Sequence, residues 1–386
     1  MLGELGLEQE MEWRQSKTGF YSEGRHVSMS SSLDFLRFPL IGLVDKARLA
    51  ATILHASRIE NWRELEHVPV EVWLRKWSGD RTFEKVWLPL LRSKLGESYR
   101  QTSAAFIWAT IARLYAARRS GMKQEMFGYL PGGYARLLHA FESTLTASGV
   151  EIVKECAVSR VERASGGLLV TQANGVRRHF SNVVGTMASP VAARICSGLS
   201  QREARMASGL PYQGIVCASM LVREPLTPYY VTNITDAGLP FTGVIDMSAL
   251  VDRSEFGGNA LVYLPKYVGP DDALFEASDD EIRERFVSGV EQMYRAFDRR
   301  SILAFAVSRV RHVFPLPVLG YSELVPPMTT SVPGLYLVNS SHIVNGTLNV
   351  NETVGLAEKA TERFLAGAAR LEEDKHGSQP ARQRVA

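Results

Sequence analysis

One stretch constrains the fold more than any other. It runs Pro333-Gly334-Leu335-Tyr336-Leu337-Val338-Asn339-Ser340-Ser341 and continues through Asn345-Gly346-Thr347-Leu348-Asn349-Val350-Asn351-Glu352-Thr353. It reads as a short apolar strand, a polar loop rich in Gly, Asn and Ser, and a helix that opens on Asn and Glu. A helix entered this way points its free N–H groups and the positive end of its dipole into the loop. Such an end suits a phosphate or the electron-rich edge of a ring. Asn349 and Asn351 are also good caps, with Glu352 favourable in the first turn, so capping and ligand binding are compatible roles.

Earlier segments carry related and contrasting patterns. Met1 to Glu10 resembles the end of a helix, and Glu12 to Tyr21 and His26 to Met29 read as strands around the turn Ser22-Glu23-Gly24-Arg25. From Asp34 to Arg119 the pattern is helical, with three-to-four spacing over Leu43 to Arg58, Val70 to Trp77, Thr82 to Leu95 and Ser103 to Ala117. Aromatic residues such as Trp73, Trp77, Phe83 and Trp87 are dense here. A helical core accounts for them; a flat apolar ligand lodged among them is the sharper alternative.

At Tyr129-Leu130-Pro131-Gly132-Gly133-Tyr134 the texture changes. A helix from Ala135 to Ser148 leads to a strand at Val150 to Val153, then to Ala157 to Val161, the hairpin Leu168 to Thr171 with Val176 to Phe180, and Asn182 to Pro190. That alternation indicates an α/β domain. Tyr212 to Arg223, Tyr229 to Ile234, Phe241 to Asp246 and Ala260 to Lys266 are strand-like, as is Ile302 to His312 after a helix at Asp279 to Phe297. Strands that follow strands point to a largely antiparallel sheet, hence a second domain inserted in the first.

Composition narrows the class. A chain of 386 residues supports two or three domains with buried cores. The net charge is +3 and no Lys/Arg-dense block occurs, which argues against a nucleic-acid partner. Arg113, Arg118 and Arg119 share one predicted helix and read as a solvated face. Cys156, Cys196 and Cys217 lie far apart without a CxxC, as buried thiols in a reducing compartment would. The eight histidines lack metal-ligand spacing, so no metal site is expected. No apolar run is long enough for a transmembrane segment, and Met1 to Glu8 has neither a basic leader nor an apolar core; a cytoplasmic location is expected.

Taken in order, three motifs resemble the FAD-dependent amine oxidase, protoporphyrinogen oxidase and phytoene desaturase superfamily, over residues 1 to 368. The first is Gly128-Tyr129-Leu130-Pro131-Gly132-Gly133-Tyr134, running through a helix to Gly149-Val150-Glu151-Ile152 and Val158-Ser159-Arg160-Val161. The second is Val183-Val184-Gly185-Thr186-Met187-Ala188-Ser189-Pro190, and the third is the C-terminal strand-loop-helix. Asp236 to Ile245 and Gly257 to Tyr267 look closest to the bacterial protoporphyrinogen-oxidase-like branch.

The resemblance implies an α/β fold of the FAD/NAD(P)-binding, glutathione-reductase-like type, with an inserted α+β substrate domain and FAD as cofactor. It assigns residues 1–11, 127–211 and 330–370 to the FAD-binding domain, 12–126 and 212–329 to the substrate domain, and 371–386 to a disordered tail. The implied cofactor-binding residues are Val158, whose backbone packs on the adenine, and Asn339, Ser340, Leu348, Asn349, Val350 and Asn351 around the flavin. Backbone N–H groups at residues 349 to 351 would stabilise negative charge on the reduced flavin. Tyr263, Lys266 and Tyr267 on one strand, and Arg37, are candidates to meet the substrate; Lys266 also reads as structural, and Arg37 as an interdomain arginine.

Two departures matter. Such proteins open with a strand, a Gly-x-Gly-x-x-Gly turn and a helix, and no Gly-x-Gly-x-x-Gly occurs in this sequence. The chain is expected to lack that first βαβ unit, beginning about 70 residues into a protein of this kind. The usual Gly-Asp/Glu pair after the last strand is replaced by Asn339-Ser340, which bonds but carries no charge. The expected function is removal of a hydride from a C–N or C–C bond of an apolar or cyclic small-molecule substrate, with chemistry supplied by the flavin and no catalytic side chain named. The alternatives are a truncated, non-catalytic remnant, an incomplete gene model, or one half of a split flavoenzyme. The partners to expect are a homo-oligomer or the missing N-terminal half.

Overall fold

The computed structural model describes residues 1–30, 32–119 and 126–377; the side chains of Arg118 and Arg119 and the end of the expected tail, 378–386, lie outside the described residues. The architecture is mixed α/β and divides into two compact units, each built from two stretches of chain: Met1–Cys156 with Pro211–Tyr321, and Ala157–Leu210 with Ser322–Ala386.

The first unit opens with β1 (Glu12–Gln15), β2 (Thr18–Ser22) and β3 (Arg25–Ser28). A helical run follows: α1 (Ser32–Arg37), α2 (Leu43–Ala56), α3 (Val70–Ser78), α4 (Asp80–Thr82), a π-turn at Phe83–Trp87, α5 (Leu88–Leu95) and α6 (Ala104–Arg119). Then come β4 (Met126–Tyr129) and α7 (Gly133–Ala147). The second unit begins with β5 (Val158–Ala164), β6 (Gly167–Gln172), β7 (Arg177–Phe180), β8 (Val183–Gly185), α8 (Ser189–Ile195) and α9 (Gln201–Gly209). The chain returns to the first unit for β9 (Tyr212–Val222), β10 (Val231–Ile234), β11 (Gly243–Asp246), β12 (Ala260–Val268), α10 (Asp279–Met293) and β13 (Ile302–Pro315). A turn, α11 (Tyr321–Leu324), leads to β14 (Leu335–Leu337) and α12 (Val350–Gly377).

The first unit is organised by a seven-stranded sheet in the order β13-β9-β12-β11-β10-β2-β3. All its pairings are antiparallel except β10 with β2. Strand periodicity of two sends Val216, Ala218, Met220 and Val222 of β9 to one face, with Ala260, Val262 and Leu264 of β12 beside them. That face is covered by α10. The helix starts on a reciprocal cap, Ser278 with Glu281, and three acids in its first turn complement the dipole. Ile282, Phe286 and Val290 then fall at helical spacing and are buried, each stabilising by about 1.5–3 kcal/mol. Gly289 lets α10 approach closely, since a Cβ there would lie 2.7 Å from Pro240. The helices α2, α3, α5 and α6 form a separate core around Leu74, Phe83, Leu95 and Ala104, and Phe20 of β2 joins Phe38 and Leu49 in a smaller one.

One strand not singled out from the sequence is found here, and one sequence expectation changes. Met126–Tyr129 is a strand, paired antiparallel with β1. Val150 to Val153, expected as a strand, joins no sheet. A strand needs a partner for its backbone groups, and apolar β-branched composition does not provide one. The segment is bracketed by positive φ at Gly149 and Glu155, and Val150, Ile152 and Val153 are exposed. The preceding helix α7 also buries none of its residues, although Tyr134, Leu138 and Phe141 form an apolar stripe on it.

The second unit has a three-stranded antiparallel sheet, β5-β6-β7, and a two-stranded parallel pair, β14-β8. Its core gathers Val161, Leu168, Ala192, Ile195, Leu335 and Leu337. α9 starts on a second reciprocal cap, Ser200 with Glu203, and the Glu203 carboxylate also accepts the Ser331 N–H at 2.6 Å. Burial opposes ionisation of Glu203, but the serine donors outweigh it and hold its pKa below the usual carboxylate value.

Candidate active site

In the first unit, the sheet face opposite α10 is only partly covered. Antiparallel partners share a face, so the pairs Tyr263 with Ser219, Pro265 with Cys217 and Tyr267 with Ile215 all project there. β13 adds Ala306 and Ser308 beside Ser219 and Cys217. The residues of β9 on this side are half-buried, and those of β13 are exposed. Two large phenols above small neighbours make a flat, aromatic-floored surface.

Tyr230 extends this surface. Its ring lies 5.4 Å from that of Phe127, and its hydroxyl is near enough to Tyr134 and Tyr263 to feel both. Burial raises the pKa of Tyr230, Tyr263 and Tyr267 above the ordinary phenol value, so all three remain neutral hydrogen-bond donors at neutral pH. Burial likewise pushes the Cys217 thiol up to about 11, which makes it an inert wall and no nucleophile. Neither Tyr230 nor Cys217 is among the residues singled out from the sequence. Their place depends on strand register, which single-strand periodicity does not reveal.

The predicted substrate residues separate. Lys266 pairs with Val216, a core residue on the α10 face, so it projects away from Tyr263 and Tyr267. Burial is the main cause of its lowered pKa; Asp272 opposes that shift and Arg285 of α10 adds to it. Arg37 ends α1 and is exposed, with no hydrogen bond to either tyrosine.

In the second unit, the C-terminal motif divides into a closed node and an open end. Asn339 is buried and its side chain is fully used: Nδ2 donates to the Met187 carbonyl at 2.7 Å, and Oδ1 accepts from the Ser341 N–H at 2.9 Å and the Ser341 hydroxyl at 2.7 Å. It ties the end of β14 to the turn that starts α8. An acid could accept both Ser341 bonds but would set an oxygen against the Met187 carbonyl, so the amide is the residue this turn requires. Ser340 lies in the short turn that follows. Nearby, the Asn339 N–H donates to His342 Nδ1 at 3.2 Å, leaving Nε2 to meet the Pro326 carbonyl at 3.0 Å.

Asn349 caps α12: its Oδ1 accepts from the Glu352 N–H at 3.0 Å, while Nδ2 holds the Thr347 carbonyl at 2.7 Å. The N–H groups of Val350 and Asn351 are first-turn donors without an intrahelical partner. Leu348 and Val350, each about two-fifths exposed, flank that end. Val158 begins β5 and packs against the core of this unit, with an irregular register at Ser159. Among the described residues no group of His, Cys, Asp or Glu could hold a metal ion, and no helix is long and apolar enough to cross a membrane.

Comparison with known proteins gives these features a context. The model of the family described as flavin containing amine oxidoreductase matches residues 1–351. Among solved structures, a protein assigned as a protoporphyrinogen oxidase from Exiguobacterium sp. 255-15 aligns with a TM-score of 0.65 at 16% identity, covering 88% of this chain and 79% of that one. A putrescine oxidase bound to putrescine aligns at 0.67 and 16% identity, covering 95% and 84%. A reduced UDP-galactopyranose mutase aligns at 0.62 and 13% identity, covering 83% and 71%. At such identities these likenesses speak to fold alone. No curated protein matches the sequence. The family match spans most of the chain, and its cofactor agrees with the open helix end after β14: the protein belongs to the flavin containing amine oxidoreductases and is an FAD-dependent oxidoreductase.

Proposed function

We propose that this oxidoreductase removes a hydride equivalent from a C–N or C–C bond of an apolar or cyclic small molecule held on the tyrosine-lined sheet face of the first unit. The observation that carries this reading is that half-buried face, on which the neutral phenols of Tyr263 and Tyr267 stand beside Ser219 and Cys217, with Tyr230 near Tyr263. Bound FAD supplies the acceptor for the hydride. Tyr263 and Tyr267 offer flat area to orient a ring, and their protonated hydroxyls can fix a polar substituent.

The second unit's donor set suits the flavin end of the cofactor. The free N–H groups of Val350 and Asn351 are suited to developing negative charge, and Asn349 fixes the turn that aims them. Leu348 offers an apolar contact, Ser340 a hydroxyl and Val158 a backbone edge. Asn339 would act by holding the loop, since its side chain is committed internally.

A second reading is favoured by three further observations. The sequence holds no Gly-x-Gly-x-x-Gly turn to cradle the diphosphate. The N-terminus of α7, which follows the Gly132-Gly133 pair, is engaged instead by Glu255, which accepts the Gly132 N–H at 2.7 Å. At the same time the apolar stripe of α7 and the side chains of Val150, Ile152 and Val153 are left exposed. Exposed apolar side chains on a helix and on the segment that follows it are what an additional strand and helix would cover. On this reading a glycine-rich βαβ unit outside residues 1–386 completes the cofactor site, as the second half does in a split flavoenzyme. Purified protein is titrated with FAD, desalted and scanned in the visible range, alone and together with such a unit. Protein-bound flavin bands in the combined sample support the reading; their absence from both samples defeats it.

A further inference from the structure

We infer that a cavity in the second unit, lined by α9 and the segment from Ser322 to Pro327, binds a small zwitterion, an α-amino acid with an apolar side chain. None of its residues belongs to the cofactor or substrate sets described above, so the inference goes beyond that reading and does not depend on it. The cavity has a volume of about 560 Å³, inside the range of small-molecule sites, about 300–1,000 Å³. One wall is α9, with Arg202, Glu203 and Met206; the other carries Glu323, Val325 and Pro327.

Both walls are tied to the rest of the unit. On α9, Glu203 is 8% exposed, and its carboxylate accepts the Ser200 N–H at 2.9 Å, the Ser200 hydroxyl at 2.7 Å, the Ser331 N–H at 2.6 Å and the Ser331 hydroxyl. On the other wall, the Pro326 carbonyl meets His342 Nε2 at 3.0 Å, and the Met328 carbonyl accepts the Leu337 N–H of β14 at 2.8 Å. Val325 and Pro327 flank the first of these ties. A site held in place this way loses little freedom when a ligand enters.

The charges that line the cavity select its ligand. Among the described residues Arg202 forms no ion pair and no side-chain hydrogen bond, so its guanidinium fork is available to a carboxylate. It stands in the first turn of α9, where the helix dipole disfavours a cation and an anion beside it would compensate. Glu203 Oε2 takes three of the serine bonds, whereas Oε1 takes only the Ser331 N–H and keeps a lone pair. Glu323 is exposed and adds a second carboxylate, whose several acceptor sites admit an ammonium beside the partner it already has. A phosphate would meet two acids, and a diamine would meet Arg202 with like charge. An α-amino acid presents one charge of each sign on adjacent groups: its carboxylate suits Arg202, and its ammonium suits the two acids. Met206, one turn beyond Arg202 on the same side of the helix, joins Val325 and Pro327 as apolar wall for the side chain.

The test needs no flavin. The full chain is titrated calorimetrically with leucine, with leucinamide, which lacks the carboxylate, and with 4-methylpentanoate, which lacks the ammonium. The pH is kept below about 7, where both amines carry their proton. Leucine is expected to bind, and each of the other two about tenfold more weakly, the loss of one charge-assisted contact. Arg202→Gln, at an exposed position, is expected to weaken leucine about tenfold and to leave leucinamide unchanged. Glu323→Gln, also exposed, is expected to weaken leucine and to leave 4-methylpentanoate unchanged. Leucine heats equal to those of dilution overturn the inference, as do equal affinities for the three probes. So does wild-type leucine affinity in either variant. Protein-bound flavin is measured in separate samples, so failure of the flavin reading and failure of this site give different results.

Discussion

Lys266 and Tyr267 are consecutive in the chain and leave opposite faces of the same strand. Lys266 sits beside Val216 on the face packed by α10, and Tyr267 beside Ile215 on the face assigned to the ligand. Their substitutions should therefore separate cleanly. Lys266→Met is expected to leave the affinity for a cyclic probe amine such as benzylamine unchanged and to preserve stability, because it removes a desolvated ammonium. Tyr267→Ala is expected to weaken that affinity by about 1 kcal/mol, roughly fivefold. Calorimetric titration of the two variants decides it, and equal losses would remove the face assignment.

The contrast also marks how far the sequence could be read. Tyr212–Val222 and Ile302–Pro315 are long runs with a period of two, and such runs declare themselves as strands without reference to neighbours. Which face Lys266 occupies depends on pairing with β9, a long-range fact that alternation within β12 does not carry. Val150 to Val153 has strand composition and joins no sheet, and pairing decided its state. The cap at Asn349 was legible because capping is local. The inward commitment of Asn339 was not, because its donor finds Met187 from a distant part of the sequence.

Asn339 should be a stability residue of the second unit. Asn339→Ala strands the Met187 carbonyl and the Ser341 hydroxyl and N–H in a buried turn, at an expected cost of about 2–4 kcal/mol. Asn339→Asp should also destabilise, and increasingly so as pH rises and the buried carboxyl is forced to ionise against the Met187 carbonyl. Urea unfolding of the two variants measures both effects, and wild-type midpoints for both would contradict the role.

Acid should weaken the second unit in two stages. Burial lowers the pKa of His342 from 6.5, outweighing its bonds to Asn339 and Pro326, so the folded state favours the neutral ring. Its contribution is fully present above 6.5 and lost as pH falls through the lower folded value. Glu203, held below 4.5 by its serine donors against the cost of burial, contributes fully above 4.5 and loses this as pH falls through its folded value. Unfolding free energy against pH should show the His342 stage first. His342→Phe should flatten that stage while leaving the Glu203 stage in place.

The apolar stripe of α7 gives a test of the covering unit. Leu138→Glu with Phe141→Glu changes exposed positions, so chain stability should shift by less than about 0.5 kcal/mol while solubility rises. The same double variant should lose association with a glycine-rich βαβ unit, read by size-exclusion chromatography. Unchanged association would mean that the stripe is not the docking face.

The most direct measurement of the central claim is the visible spectrum of the desalted protein after addition of FAD and a polypeptide bearing the Gly-x-Gly-x-x-Gly unit. The account predicts protein-bound flavin bands in that sample, reduced in intensity by substitution of Asn349, whose side chain sets the turn at the open end of α12. A spectrum with no bound flavin would contradict it.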